Sequence, residues 1–560
     1  MKLTHTLSLI MALFAFVVAP SVASAKVARP LEPTVPVGEV QQQEYTILPD
    51  ILWGGEYNQL YANGVSVKTT PSSIFGQLGL KFELWVENDV QKLLDAYISG
   101  RTPYFRGTMD MGMAPIEAMN RDPRTKPILL VVMTRSTGGD TAVVIQGIQD
   151  IGDWKGKRIA LQLPGPHMFL LHQLLKTAGL SLNDVTIVSA TTLEGPMELM
   201  QDGKADVAFC IFPHMEELTK GSGEGRVDGA RMGLSTMSFP NFILDVYYVR
   251  SDYFQSHKDE AYKLVQGLIK AQDQLTKLFK NQKSAEFKKL ALAFQTIISQ
   301  GAESLDSCKG MVMDFTFAQF SFNQKFFDGN QKAFPSFTTS TYEIQTALID
   351  YGYMTRRVPL EHANWDWERL KSGAGLEVQA TKPKFNQKAV AAAVKKRQTT
   401  GTLSEGTLFP TFEVYFKAKQ TSFAASQYAS EFDKVIADVQ RAAGAAIVLE
   451  AHVEQQTWLS KKKSGMPTVR LTQLRQKAVN VSMQRGEAVK DAIIAYAKSS
   501  QGIELDESQF SILPLGIEDP RAGMCGRDPC PTTREDWPFE RRVAFRIVIM
   551  EVEADVFPEL

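Results

Sequence analysis

Apolar and polar positions follow two rhythms along the first two-thirds of the chain. Tyr45–Leu48, Leu80–Val86, Arg106–Met111, Ile128–Met133, Ala142–Ile145, Arg158–Leu163, Val185–Val188, Ala205–Ile211 and Ile243–Val249 are short alternating or continuous apolar runs, the pattern of strands. Between them, Glu56–Ala62, Asp89–Ile98, His167–Ala178, Gly195–Met200 and Ala261–Phe279 read as helices. In the last, Leu264, Val265, Leu268, Ile269, Leu275 and Leu278 make one apolar face. The clearest block is Trp154–Val188. A strand ends at Leu163, Pro164-Gly165-Pro166 turns the chain, and Leu170, Leu171, Leu174, Leu175 and Ala178 line one face of a helix closed by Gly179. With Val185–Val188 as the second strand, this is a βαβ unit whose tight loop points at the start of its helix. Free N–H groups there suit a small, often anionic, ligand, although the same pattern also serves as a plain sheet core. Strands and helices alternating from Tyr45 to about Arg369 predict an α/β domain with mainly parallel sheets. The shifts at Ser136–Asp140 and Phe239–Asp245 predict two lobes: the chain starts in one, passes through the other and returns.

The pattern changes at Lys371. Gly, Ala, Lys, Thr and Ser dominate to Gly406, which reads as a linker, partly helical across Gln387–Arg397. A new domain, 408–560, begins at Leu408. Strands are predicted at Phe412–Phe416, Ala446–Val453, Phe510–Leu513 and Val543–Val552. Tyr428, Phe432, Val435, Ile436 and Val439 make one helical stripe, and Arg485–Ala497 is a second helix with Val489, Ile493 and Tyr496 inward. This order predicts a compact α/β sandwich.

Composition narrows the functional classes. In 560 residues, 61 Lys and Arg oppose 62 Asp and Glu, which argues against a general nucleic-acid binder. Residues 1–25 read as a signal peptide: Lys2 gives a positive start, Leu7–Val18 a short apolar run, and Ala23-Ser24-Ala25 a cleavage site. The mature chain is therefore expected in an oxidising compartment. Of the four cysteines, Cys525 and Cys530 bracket a turn-rich loop that suits a small disulfide, with metal binding as the alternative, while Cys210 and Cys308 read as buried thiols. No nucleophile–base–acid set and no metal cluster stands out, so neither an enzyme nor a cofactor is expected.

The stretch from Tyr45 to Leu370 resembles the periplasmic solute-binding proteins of the nitrate, sulfonate/taurine and thiamine-precursor ABC uptake family. The resemblance rests on GGDTAVVIQGIQDIGDWKGKRIALQLPGPHMFLLHQLLKTAGLSLNDVTIV from Gly138 to Val188, on MELMQDGKADVAFCIFP, and on DVYYVRSDYFQSHKDEAYKLVQGLIKA, in that order. It implies a two-lobed periplasmic-binding-protein fold (type II), with a solute held between the lobes by loops at strand ends and an ABC permease in the inner membrane as partner. Carried onto this sequence, the loops are Trp53, Gly54 and Gly55; Asp110, expected to end a strand; Thr134, Ser136, Thr137 and Gly138; Gly165, Pro166 and His167; and Pro213 and Asp245. Hydroxyls and helix-start N–H groups suit an oxyanion, whereas Asp110 and Asp245 suit an amine or a ring N–H, and Trp53 suits a flat or apolar portion. Asp110 also fits a helix cap, and His167 a solvent-facing helix residue. A ligand-sensing subunit for a membrane signalling partner is the alternative function. An enzyme of pyrimidine biosynthesis on the same fold would bring a cysteine-rich motif that this chain lacks.

The tail resembles the OmpA-like peptidoglycan-binding domain. Ala451-His452-Val453-Glu454 stands at the family's Gly-His-Thr-Asp, Val481-Ser482-Met483-Gln484-Arg485-Gly486 at Leu-Ser-x-x-Arg-Ala, and Glu540-Arg541-Arg542-Val543 at Asn-Arg-Arg-Val. The resemblance implies that Arg485 forks onto the carboxylate of a diaminopimelate stem, that Glu454 faces its ammonium, and that Arg541 adds a contact. Glu454 and Glu540 depart from the family's Asp and Asn, and Trp458–Val479 reads as an insertion. The expectation is a periplasmic, wall-associated solute-binding protein.

The leader generates one prediction. Terminal sequencing of the exported protein should find Lys26 first, and a mature chain beginning at Met1 would refute the reading.

Overall fold

The structure is a computed structural model that describes residues 27–220, 225–332, 334–376, 412–441, 445–517 and 536–549. The leader, the linker beyond Leu376, and the expected Cys525–Cys530 disulfide lie outside these residues. Lys371–Ala374 instead complete a helix, Trp367–Ala374, closed by Gly375 in the left-handed conformation.

Strand β1 (Thr46–Asp50) pairs in parallel with β2 (Phe82–Val86), and helices α1 (Tyr57–Ala62) and α2 (Val90–Ile98) follow them. β3 (Tyr104–Thr108), a short helix α3 (Met109–Met113) and β4 (Pro127–Ser136) come next. The chain then enters a second sheet built from β5 (Asp140–Val144), β6 (Arg158–Gln162), β7 (Thr186–Ala190), β8 (Val207–Ile211) and β9 (Arg231–Ser235) in the order β7-β6-β8-β5-β9. Helix α4 (Met168–Thr177) joins β6 to β7, which run parallel, with Arg158 opposite Thr186. β10 (Leu244–Arg250) returns to β3 and β4, and after the long helix α5 (Lys258–Phe279) come β11 (Phe315–Phe317) and β12 (Glu361–His362); these strands make the first sheet, in the order β11-β4-β10-β3 with β12 on β4, and β1-β2 is a separate pair.

Three expectations are corrected. The first sheet is not mainly parallel: β10 lies between β3 and β4 and is antiparallel to both, and β11 is antiparallel to β4. All seven residues of β10 are buried, as are the first eight of β4, and strands buried on both faces read alike whichever way they run. Second, Asp110 does not end a strand. β3 stops at Thr108, whose hydroxyl caps α3 by accepting the Met111 N–H at 3.4 Å, so Asp110 stands in the first turn of a helix. The third correction is in the tail.

Buried polar groups in the first sheet are matched in detail. The Asn323 side chain takes both backbone groups of Val132, at 2.8 and 2.9 Å, and the Trp365 indole N–H donates to the Leu130 carbonyl at 2.8 Å.

The tail is a four-stranded sheet, β13 (Glu413–Tyr415), β14 (Ala445–His452), β15 (Phe510–Gly516) and β16 (Arg542–Ile549), in the order β13-β16-β14-β15. Helix α6 (Ala429–Arg441) packs on β16. The long helix α7 (Thr468–Tyr496) packs on β14 and β15 and runs unbroken for 29 residues. Arg485 therefore lies well inside a helix, not at its start. No Gly or Pro separates Thr468 from Arg485, and Leu471, Leu474, Arg475, Gln476, Lys477 and Ala478 all favour helix, so the second half of the segment read as an insertion extends α7, while its first half belongs to a separate helix, Gln456–Lys463. The end of α6 touches the first domain: Arg441 pairs with Glu343 at 2.5 Å, and Gln440 accepts the Phe334 N–H at 3.2 Å.

Candidate functional site

The two passages between the sheets, 137–139 and 236–243, lie side by side. One hydroxyl joins them. Thr236 Oγ1 lies 2.7 Å from Ser136 Oγ and accepts the N–H groups of Gly138 at 3.1 Å and Asp140 at 3.3 Å. Next to these passages is a narrow cleft whose cavity, as the two sheets stand, is about 30 Å³. Both sheets line it. Trp53, Asn88, Thr108, Ile243 and Asp245 come from the side of the first, and Asp140, Gln162, Pro166 and Ile211 from the second.

A buried charge network sets the first wall. Arg106 is fully buried on β3 and reaches Glu56 at 2.5 Å and Asp245 at 3.1 Å. Burial works against its charge, but Glu56 and Asp245 outweigh burial and raise its pKa above the ordinary value. The other oxygen of Asp245 accepts the Thr134 hydroxyl at 2.6 Å, and the Trp53 indole N–H points to the same Thr134 oxygen at 3.4 Å. Trp53 is 8% exposed and opens the turn Gly54–Glu56. Gly54 and Gly55 let that turn close: a Cβ on Gly54 would lie 2.7 Å from the Met311 carbonyl, and one on Gly55 2.9 Å from the Thr134 hydroxyl.

The second wall is Asp140 at the start of β5, joined to His167 by a 2.7 Å contact from Nε2. His167 is buried at the N-terminus of α4, against Phe209, and does not face solvent. Gly165 is packed in the preceding loop, where a Cβ would meet the Gln162 carbonyl at 2.6 Å.

The other residues singled out from the sequence are occupied elsewhere. Asp110 accepts the Phe169 N–H at 3.0 Å and the Thr108 hydroxyl, so it caps α4 across the gap between the sheets. Thr137 faces Thr316, hydroxyl to hydroxyl, at 3.1 Å, and the N–H groups of Thr137 and Gly139 both donate to the Asp314 carbonyl, at 2.9 and 3.1 Å. Pro213 follows β8 and is absent from the residues lining the cleft. Sequence reasoning missed Arg106, Glu56, Asp140 and Gln162. The available signal was an arginine directly after the aromatic pair Tyr104-Phe105 in a strand, which predicts buried acids nearby.

Several buried acids are held partly neutral. Asp50 is pushed up to about 7 by burial, partly offset by its hydrogen bond with Glu56 and by Arg106. Burial also raises Glu56 and Asp245. Asp110 is pushed up to about 6 by burial, against the hydrogen bond from Thr108 and the backbone N–H of Phe169. Asp314 is pushed up to about 8 by burial and by repulsion from Asp140 and Glu216.

In the tail, three residues named from separate motifs converge. Arg485 is buried; its Nε donates to the Gln420 carbonyl at 3.1 Å, its Nη1 to the His452 carbonyl at 3.0 Å, and it lies over the Phe416 ring. Burial pulls its pKa down to about 10, with Glu454 opposing and Arg541 adding to the shift. Arg541 reaches Glu454 at 3.7 Å and donates to the Phe416 carbonyl at 3.0 Å. Arg542 instead pairs with Glu413 and Glu540, at 3.3 and 3.5 Å.

Residues 104–277 match the model of a protein family described as NMT1/THI5 like. That segment runs from β3 into α5 and includes the whole second sheet. No curated protein sequence matches the chain. Among solved structures, the periplasmic nitrate-binding protein of Synechocystis PCC 6803 is similar at 12% identity and a TM-score of 0.42, over 61% of this chain and 91% of that one. The ligand-binding component of an ABC-type import system from Staphylococcus aureus is similar at 12% identity and a TM-score of 0.40, over 56% and 94%. The periplasmic aliphatic sulphonate-binding protein of Escherichia coli is similar at 12% identity and a TM-score of 0.38, over 61% and 98%.

The acids generate a pH prediction. Asp50, Asp110 and Asp314 have folded pKa values raised above the unfolded value near 3.8, so folding favours their neutral forms. The stability they contribute is full below about pH 4 and is lost as pH rises through 6 to 8. Thermal unfolding of the ligand-free protein should show a loss of at least about 2 kcal/mol between pH 5 and pH 8, since one pKa unit is about 1.4 kcal/mol. Asp110→Asn should flatten the part of the curve between about pH 4 and pH 6. A melting temperature that rises over this interval would contradict the assignment.

Proposed function

We propose that the chain captures a small solute in the cleft between its two sheets and delivers it to an ABC-type permease, while its tail holds it to peptidoglycan in the periplasm. The observation that carries the first part is the cleft itself. It is walled by both sheets, lies at a paired passage of the backbone, and combines the apolar surfaces of Trp53, Ile211 and Ile243 with a few buried polar groups. The NMT1/THI5-like segment supplies β3, the whole second sheet and the return strand β10, so it spans most of the elements around the cleft. In such a clamp the solute completes contacts with both sheets and favours the closed form, by as much as it binds that form more tightly.

The tail reading rests on the convergence of Arg485, Glu454 and Arg541. An arginine held in place by two carbonyls beside a glutamate offers one charge of each sign to a stem peptide that carries both an ammonium and a carboxylate.

The mature protein from its native source should carry a co-purifying solute, identified by mass spectrometry after extraction. Returned at a hundred times its Kd, the solute should stabilise the protein by about 2.7 kcal/mol and shrink its scattering radius. Ile243→Trp, which fills the cleft, should abolish both effects; unchanged binding in that variant would displace the site.

The full mature chain should also sediment with diaminopimelate-type peptidoglycan. Arg485→Lys should weaken this at least about tenfold, because an ammonium cannot make two parallel bonds to a carboxylate. Glu454→Ala should weaken it as well. Equal sedimentation of wild type and both variants would remove the wall-binding assignment.

A further inference from the structure

The cleft carries a chemical preference that the fold alone does not dictate. An oxyanion site needs free N–H donors or a basic side chain. Here several of the N–H groups expected for that role already have acceptors: Thr137 and Gly139 donate to Asp314, Gly138 to Thr236, and Phe169 to Asp110. Among the described residues no Lys, Arg or His lines the cleft, and its charged lining residues are Asp140 and Asp245. Arg106 stands behind Asp245 and is engaged by Glu56 and Asp245.

The acceptors are in the opposite condition. Asp140 is 2% exposed and Gln162 5% exposed; both line the cleft, and among the described residues Asp140 Oδ2 and Gln162 Oε1 have no hydrogen-bond partner. A buried carboxylate oxygen without a donor is costly, so each oxygen calls for an N–H from whatever fills the space. Among the described residues Asp314 Oδ2, just behind Gly139, is also buried without a partner. Trp53 supplies an aromatic wall, and a cation against an indole gains further attraction. A metal ion does not match the donors: among the described residues no group of three or more His, Cys, Asp or Glu is placed to hold one.

We propose that the cleft takes an organic cation, a protonated amine or amidine on a compact apolar body, with its N–H groups directed at Asp140 and Gln162. This rests on the solute-capture reading above and narrows it to one chemical class. Ligand charge would pass to the acids around it. The Asp314 carboxyl, held up near 8, should release a proton as the cation arrives, so binding should tighten as pH rises from 6 to 9.

The test uses the full mature protein and two matched sets of probes. Benzamidinium and benzylammonium form one set; benzoate, benzenesulfonate and nitrate form the other. Thermal shift and calorimetry should register the cations and not the anions. Asp140→Asn should weaken benzamidinium at least about tenfold, and Gln162→Glu, which adds a second charge, should tighten it. The Gln162→Glu gain guards against a folding artefact, since a merely structural residue gives no gain in affinity for one charge type. Binding of an anion with the cations silent overturns the cation assignment and leaves solute capture standing, as does an anionic solute extracted from the native protein. If neither set binds and extraction finds no solute of any charge, both readings fall.

Discussion

Arg106 is a permanent charge in a place without water, and much of the first domain is arranged to accommodate it. An arginine cannot shed its proton at physiological pH, so burying it requires acids at close range. Glu56 and Asp245 meet that need from two distant parts of the chain. They bring the turn after β1 and the returning strand β10 to the same point on β3. Asp245 then orients Thr134, and Thr134 receives the Trp53 indole, so the aromatic wall of the cleft is positioned by the same charge. Losing one partner of such a group costs about 3–5 kcal/mol, because the charge left behind has no solvent to turn to.

Much of the architecture was legible because its signals are local. The strand, turn and helix at Arg158–Thr177 need only the spacing of leucines and a pair of prolines, and they stand where that spacing put them. Thr108 illustrates the limit. Its run of apolar neighbours reads as one strand through Met111, yet its hydroxyl ends the strand and starts a helix, a choice between two hydrogen-bonding partners for the same atoms. Strand direction in the first sheet was hidden for a different reason: Leu244–Arg250 is buried on both faces, so its pattern has no polarity to read.

The site divides along the same line. Trp53 and Asp245 were visible as a large aromatic beside glycines and an acid at the head of an apolar strand, and both line the cleft. Asp140 and Gln162 line it too, but one stood at the edge of a passage between sheets and the other inside a strand. Their importance comes from what fails to reach them, which only three dimensions reveal. The serine, threonine and glycine at 136–138 were attractive as anion binders by type. In the fold their donors meet Asp314, Thr236 and Thr316, residues far along the chain.

Thr236 has a mechanical consequence. Its single oxygen is shared by Ser136, the N–H of Gly138 and the N–H of Asp140, so the outgoing and returning strands are pinned together midway between the sheets. Two cords tied at one knot resist being pulled apart but still turn about each other. Pulling the two halves apart at this point breaks all of these bonds at once, whereas a twist about the paired strands leaves them in place.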